Sequence, residues 1–181
     1  MKFIKTSLDG AYIVQLDKIE DDRGFFSRLY CSDDFKNMGI KKKIKQVNNS
    51  YSEHMGTLRG IHFQINPKAE SKLVRCIQGA LFDVIVDLRK NSVTYKKWFG
   101  AKLSSDNRKM MYVPEGFGHG FLTLEDSTEA IYFVSESFSP KHEKTLHWND
   151  KKIGIKWPIK PKVISKKDQS NPNFDESFHI V

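Results

Sequence analysis

One stretch of twenty residues, Thr57 to Cys76, constrains this chain more than any other: T-L-R-G-I-H-F-Q-I-N-P-K-A-E-S-K-L-V-R-C. It sets Arg59, His62, Lys72 and Arg75 among Leu58, Ile61, Leu73 and Val74. Two alternating runs flank a segment containing Pro67, so the stretch predicts two strands joined by a loop. Cationic and imidazole side chains on such strands point into the interior or the mouth of a β-structure. A lysine facing inward costs free energy unless an anion or a developing negative charge meets it. The plain alternative is a solvated sheet face carrying one histidine and several basic residues.

The rest of the chain reads as more of the same. Strands are predicted over Ala11–Leu16, Phe25–Tyr30, Ile44–Asn49, Thr57–Gln64, Lys72–Gln78, Ala80–Leu88, Trp98–Leu103, Lys109–Val113, Gly120–Leu124 and Glu129–Glu136. A turn is expected at Asp21–Gly24, and Gly79, Gly100 and Gly116 stand at turn-like positions. Ser32-Asp33-Asp34 offers N-cap chemistry, Phe35 and Met38 are spaced for one helix face, and Gly39 suits its end, which predicts one short helix. Many short strands with frequent turns describe an all-β sandwich or a closed double-sheet barrel. After Pro140 the pattern weakens, with Trp148 and Trp157 as anchors and a polar, loop-like tail from Lys160 that carries Asp168.

At 181 residues and 39% hydrophobic, the chain is expected to form one globular domain over its whole length. No apolar run is long enough for a signal peptide or a membrane span. Cys31 and Cys76 form neither a disulfide framework nor a metal-spacing pattern, so the expected setting is the reducing cytoplasm. The net charge of +8 raises the question of nucleic acid. The lysines are spread over Lys41–Lys43, Lys96-Lys97, Lys151-Lys152 and Lys166-Lys167, with no nucleic-acid-binding motif. Solvated faces explain them, and a positive field would still draw in a diphosphate. The histidines stand in His62-Phe63-Gln64 and Gly118-His119-Gly120, neither of them an H-x-H pair, so no tight transition-metal site is expected.

The words L-R-G-I-H-F-Q and K-L-V-R-C-I-Q-G resemble the sugar-nucleotide 3,5-epimerases that act on dTDP-4-keto-6-deoxyglucose on the way to dTDP-rhamnose. So do D-D-R-G-F-F at Asp21–Phe26, Q-V-N-N-S-Y-S at Gln46–Ser52, V-D-L-R at Val86–Arg89, P-E-G-F-G-H-G-F at Pro114–Phe121, W-N-D at Trp148–Asp150 and I-K-W-P at Ile155–Pro158. The resemblance spans nearly the whole chain. It implies a cupin-type jelly roll and a cofactor-independent epimerase of a nucleotide-bound 4-keto-6-deoxyhexose.

A 4-keto sugar has weakly acidic C–H bonds at C3 and C5, because each carbanion delocalises onto O4. Inversion needs a base on one face, an acid on the other, and a cation or donor at O4. By the resemblance, His62 is the base, Lys72 the cation, Tyr132 the acid and Asp168 the carboxylate that orients the imidazole. Read without it, Tyr132 is core packing, Asp168 a surface turn, Lys72 a solvated lysine, and His119 a structural, hydrogen-bonded histidine. The resemblance also places Arg23 and Arg59 around the diphosphate and Gln46 and Asn48 at the nucleotide. His119, Phe26, Arg28 and Phe138 complete the expected substrate contacts. It further implies a homodimer whose N-terminal segments exchange, with Arg23 and Phe26 serving the partner's site.

The chain departs from the family pattern at three places. Arg28 stands where a glutamate is usual, Glu70 where a glutamine is usual, and Ser137-Phe138 where paired tyrosines are common. Three alternatives follow. One is a single-carbon epimerase or ketoisomerase; another is a different nucleotide such as CDP, with Arg28 otherwise turned toward Glu70. The last is a catalytically silent barrel that binds sugar nucleotides.

Overall fold

In the computed structural model of the protein, residues 1–40 and 43–179 are described, so Lys41 and Lys42 of the first lysine cluster lie outside the described residues. The architecture is two stacked antiparallel sheets. The first sheet contains β1 (Lys2–Lys5), β2 (Tyr12–Gln15), β5 (Gln46–Ser52), β7 (Lys72–Gln78), β10 (Met110–Val113) and β12 (Thr128–Val134), in the order β1-β2-β10-β7-β12-β5. The second contains β6 (Thr57–Gln64), β8 (Ala80–Asp87), β9 (Trp98–Ser104), β11 (Phe117–Thr123) and β13 (Glu143–Thr145), ordered β13-β6-β11-β8-β9, with the short β14 (Val163–Ile164) added parallel to β6. A separate hairpin pairs β3 (Ile19–Asp21) with β4 (Gly24–Phe26). The all-β jelly roll expected from the sequence is the fold observed.

Period-two alternation decides which side chains meet between the sheets. Val74, Cys76, Met111, Val113 and Ala130 of the first sheet pack on Leu81, Ile85, Leu103, Phe117 and Phe121 of the second. The intervening residues face outward. Leu73, Met110 and Tyr112 pack beneath Phe35 of the helix α1 (Ser32–Asn37). Phe63, Val84, Val86 and Leu88 are covered by Leu146, Ile153, Ile155 and Phe174 from the C-terminal third. That third also carries two four-residue helices, α2 (Lys166–Gln169) and α3 (Glu176–His179). Trp157 packs against this outer layer, as predicted, and donates its indole N–H to the Trp148 carbonyl at 3.0 Å; the Trp148 ring instead stacks on His147.

Several expectations need correction. The strand predicted over Phe25–Tyr30 stops at Phe26, because the hairpin lies outside both sheets and every residue of β3 and β4 is exposed. The helix α1 takes Cys31 as its N-cap with no side-chain cap bond, so Ser32 opens the helix instead of capping it. Gly100 lies inside β9, not in a turn; a Cβ there would run into the Phe82 ring, so the glycine makes room for that aromatic. The strand predicted from Lys109 begins at Met110, just past Arg108, whose φ is +51°. Strands β1, β3, β13 and β14 went unpredicted because they are too short to show a period. Asp168, expected in a loop, sits in α2, whose N-cap Ser165 accepts from the Asp168 N–H at 3.0 Å.

Candidate active site between the two sheets

A cavity of about 690 Å³ opens between β5, β7 and β12 on one side and β6 and β11 on the other, with β13, β14 and α2 at its rim. Its construction starts with an irregularity. In a regular strand Arg59 and His62, three residues apart, would point to opposite faces. The pairing of β6 with β11 runs His119 opposite His62 but Phe121 opposite Arg59, so two residues of β6 face the single Gly120. This β-bulge turns both Arg59 and His62 into the cavity. Only glycine allows it: Gly60 has φ +126°, and a Cβ there would lie 2.6 Å from the Gly120 Cα.

The bulge also positions the carboxylate. Asp168 Oδ1 is 2.6 Å from His62 Nε2, and Asp168 Oδ2 accepts from the Gly60 N–H at 3.5 Å. Burial pushes the Asp168 carboxyl upward. The hydrogen bond and charge of His62, with the Gly60 N–H and Ser165, outweigh burial and hold it below the usual carboxylate range. Since the carboxylate accepts, it fixes one ring nitrogen as N–H and leaves the other as the basic one. His119 faces the cavity too, with Nε2 at 2.8 Å from Asp83, a fully buried carboxylate of β8. That is the hydrogen-bonded histidine expected from its small neighbours.

The opposite wall belongs to the first sheet. Val134 pairs with Lys72 and Tyr132 with Val74, so Tyr132 and Lys72 lie on adjacent strands and face the same cavity. Lys72 is 8% exposed, and its ammonium lies 3.1 Å from Glu70 Oε1. Tyr132 is half-buried. Burial raises its phenol, Arg59 opposes the shift, and the charge of Glu70 adds to it. Above them, Gln46 donates to Asn48 at 2.6 Å and accepts from the Phe138 N–H at 3.3 Å, linking both amides to the exposed ring of Phe138 at the mouth. Arg59 is steadied by the Tyr51 carbonyl at 2.9 Å and Ser52 Oγ at 3.3 Å.

Nine of the twelve residues singled out from the sequence therefore line one cavity. Arg23, Phe26 and Arg28 do not. They lie on or just after the exposed β3–β4 hairpin, where Arg23 pairs with Asp21 at 2.5 Å and Phe26 is 60% exposed. Arg28 does not pair with Glu70, which is taken by Lys72. The lining residues that the sequence reading did not single out include Gln64, Glu143 and Lys167. Lys167 holds Glu143 at 2.7 and 2.8 Å across the rim. No local pattern could reveal this pair, because only the tail's return along β6 brings its halves together. Among the described residues, no group of three or more His, Cys, Asp or Glu is placed to hold a metal ion.

This is a jelly roll of cupin type in which an imidazole–carboxylate pair faces a phenol and an ammonium across one cavity, the equipment of an enzyme for acid–base chemistry. Comparison with known proteins gives the family. Residues 5–176 match the model of the dTDP-4-dehydrorhamnose 3,5-epimerase family. The enzyme of that name from Methanothermobacter thermautotrophicus is 44% identical over 172 residues, covering 93% of this chain and 92% of its own. The crystal structure of the Bacillus anthracis epimerase, with TDP and PPi bound, superposes with a TM-score of 0.91 at 44% identity, covering 96% of this chain and 99% of that one. The Legionella pneumophila enzyme in complex with dTDP-4-keto-L-rhamnose superposes at 0.88 with 33% identity, covering 94% and 90%. The chain belongs to the dTDP-4-dehydrorhamnose 3,5-epimerase family and is an isomerase.

Proposed function

We propose that the chain inverts C3 and C5 of dTDP-4-dehydro-6-deoxy-D-glucose, giving dTDP-4-dehydro-L-rhamnose, without a cofactor. One observation carries the reading: the His62–Asp168 pair and the Tyr132–Lys72 pair stand on opposite walls of one cavity. A hexose held between them presents one face to each. His62 takes the proton from C3 or C5, and the resulting imidazolium is stabilised by the Asp168 carboxylate. Charge flows to O4, where the Lys72 ammonium offsets it. Tyr132 then delivers its phenolic proton to the same carbon from the other side, inverting it. The identity to relatives bearing the 3,5-epimerase name, and the thymidine ligands of the solved structures, support the dTDP sugar as substrate.

Arg59, Gln46 and Asn48 lie where the diphosphate and nucleotide of such a sugar would run, with Phe138 closing the mouth. The nucleobase end needs the residues missing from this cavity. The exposed hairpin supplies them, in our reading, through Arg23 and Phe26 to the partner of a homodimer by segment exchange. The outer face of the first sheet agrees with a partner there. Val47, Tyr51 and Ile77 are exposed, and the Arg75 Nε and Nη1 are buried without a hydrogen-bond partner among the described residues. A cytoplasmic setting fits two free cysteines and the lack, among the described residues, of a helix long and apolar enough to cross a membrane.

The test is incubation with the dTDP 4-keto sugar in D2O, reading label by NMR. Label at both C3 and C5 with double inversion is expected. Label at one carbon alone would make this a single-carbon epimerase, and binding without label would make it a silent barrel.

A further inference from the structure

The cavity contains one group that the proton-transfer scheme leaves without a task. Glu70, in the loop before β7, turns its carboxylate inward, where only 12% of its side chain is exposed. A cavity that admits a diphosphate and then develops an enolate is a poor place for a third negative charge. Burying a carboxylate is tolerated only when it is paired.

Glu70 is paired and braced from two sides. Its Oε1 holds Lys72 at 3.1 Å. Its Oε2 accepts from the Gln64 amide at 3.4 Å, and that amide is itself fixed by the Lys68 and Ser137 carbonyls and the Ser139 N–H. Between Glu70 and Lys72, Ser71 is tied to Ser135 by two hydrogen bonds, its N–H to Ser135 Oγ at 2.8 Å and its carbonyl to the Ser135 N–H at 3.0 Å. Ser135 directly follows β12, the strand of Tyr132. The carboxylate, the ammonium and the phenol are thus held by one pinned pair of segments.

We propose that Glu70 is a positioning residue of this site: it fixes the Lys72 ammonium on the wall where O4 arrives, and it sets its carboxylate in the same cavity as the Tyr132 phenol that donates the proton. This rests on the reaction proposed above. The charged and titratable groups sharing the cavity with Tyr132 are Arg59 and His62 on β6, Lys72 on β7, His119 on β11, Glu143 on β13, and Lys167 and Asp168 on α2, besides Glu70 itself. Of these, Arg59 acts on the phenol in the opposite sense to Glu70, so the acid sits between one charge that loads it and one that unloads it. Removing the carboxylate leaves burial alone to oppose Arg59, and the phenol then ionises at lower pH. A phenolate cannot donate, so turnover falls off at lower pH as well.

Two variants separate charge from shape. Glu70→Gln keeps an oxygen to accept from Lys72 and removes only the charge; Glu70→Ala removes both. The first readout needs no substrate. The phenol titration is followed by ultraviolet absorbance, and the contribution missing in Tyr132→Phe is assigned to Tyr132. The second readout is the pH profile of double inversion. In Glu70→Gln, the Tyr132 phenol is expected to titrate at lower pH than in the wild type. The alkaline limb of turnover moves the same way, and turnover below that limb falls less than in Glu70→Ala. Glu70→Ala loses turnover at every pH, because Lys72 is no longer held. If phenol and alkaline limb coincide in Glu70→Gln and wild type, Glu70 is packing only and the proposal is wrong. A wild type that turns over no keto sugar would overturn the reaction instead, and the phenol titration would still decide whether Glu70 acts on Tyr132.

Discussion

The two walls of the cavity are built on opposite plans. On the second-sheet wall each imidazole is already committed: His62 to Asp168, and His119 to the buried Asp83. On the first-sheet wall the Tyr132 phenol makes no hydrogen bond among the described residues, and Lys72 is held only through Glu70. The difference follows from what each wall has to do. A base gains from being oriented and charge-compensated before the substrate arrives, since that ordering then costs nothing during the reaction. An acid already donating to a protein acceptor would have to break that bond before giving its proton to carbon. On the proposed reaction, the preorganised wall is the one that takes protons, and the wall left open is the one that gives them.

The sharpest way to break this comparison is to remove the base. His62→Ala is expected to abolish deuterium uptake at C3 and C5, a loss of about 10²–10⁴ in rate. Undiminished exchange would show that the proton leaves toward the other wall.

Next comes the cation. Lys72→Ala should lower exchange by about 10²–10³, the usual effect of losing one group that stabilises a developing oxyanion. It also strands Glu70 as a buried carboxylate, at a cost of about 3 kcal/mol read from the denaturation midpoint. Adding Glu70→Gln should restore much of the stability and little of the activity. Equal recovery of both would mean that Lys72 matters only for packing.

Asp168→Asn tests how much the preorganised wall owes to its carboxylate. Exchange should fall, but by less than in His62→Ala. The pH dependence has a definite sign. The Asp168 carboxyl is held below its unfolded value, so its contribution to stability is full above about pH 4 and is lost as pH falls through the folded value. The wild type should lose stability on acidification where Asp168→Asn, already lacking that contribution, loses less. Identical acid profiles would mean that the carboxylate adds no pH-dependent stability.

Tyr132→Phe tests the open wall. Proton removal by His62 should continue, so label still enters. It returns without inversion, or with inversion at one carbon only. Wild-type yields of the doubly inverted product would remove Tyr132 as the acid.

The open wall was far easier to read from the sequence than the preorganised one. Its strands β7 and β12 were predicted close to their observed bounds and are neighbours in a regular register apart from one shift near Glu129, although by pattern alone Lys72 reads as solvated and Tyr132 as core packing. The pair His62–Asp168 follows from no local rule. Alternation sends Arg59 and His62 to opposite faces, and only the close approach of Gly60 to Gly120 reverses that. Asp168 reads as a polar tail residue because its partner is 106 positions away. The forces that return it to β6 are spread over the tail, in the pairing of Val163 with Thr57, the Asn171 amide on the Gly60 carbonyl, and Phe174 in the outer core. Family resemblance supplied what local pattern could not. The hairpin at Asp21–Phe26 shows the converse, since its turn was legible but its exposure was not, because exposure depends on which sheet a strand joins.

The smallest expected effect belongs to Arg28, which lies on neither wall. A guanidinium only donates hydrogen bonds, so at a nucleobase it suits the N3 and O2 acceptors of cytosine better than the N3–H of thymine. A buried polar edge left unpaired costs about 1–3 kcal/mol, or roughly tenfold to a hundredfold in affinity. Such discrimination requires Arg28 to be enclosed with the base. In this chain it is exposed, outside the cavity of its own subunit, and Glu70 is already occupied by Lys72 and cannot draw it in. Both walls are intact without it, and the amides of Gln46 and Asn48 are in place to meet the nucleotide. The expected outcome is a wild-type preference for dTDP over UDP, CDP and GDP in competition binding. Arg28→Glu should change the dTDP affinity by less than about tenfold and leave the order of the four nucleotides as it was. A preference for CDP that reverses in Arg28→Glu would place the guanidinium on the base and replace thymidine as the nucleotide this site reads.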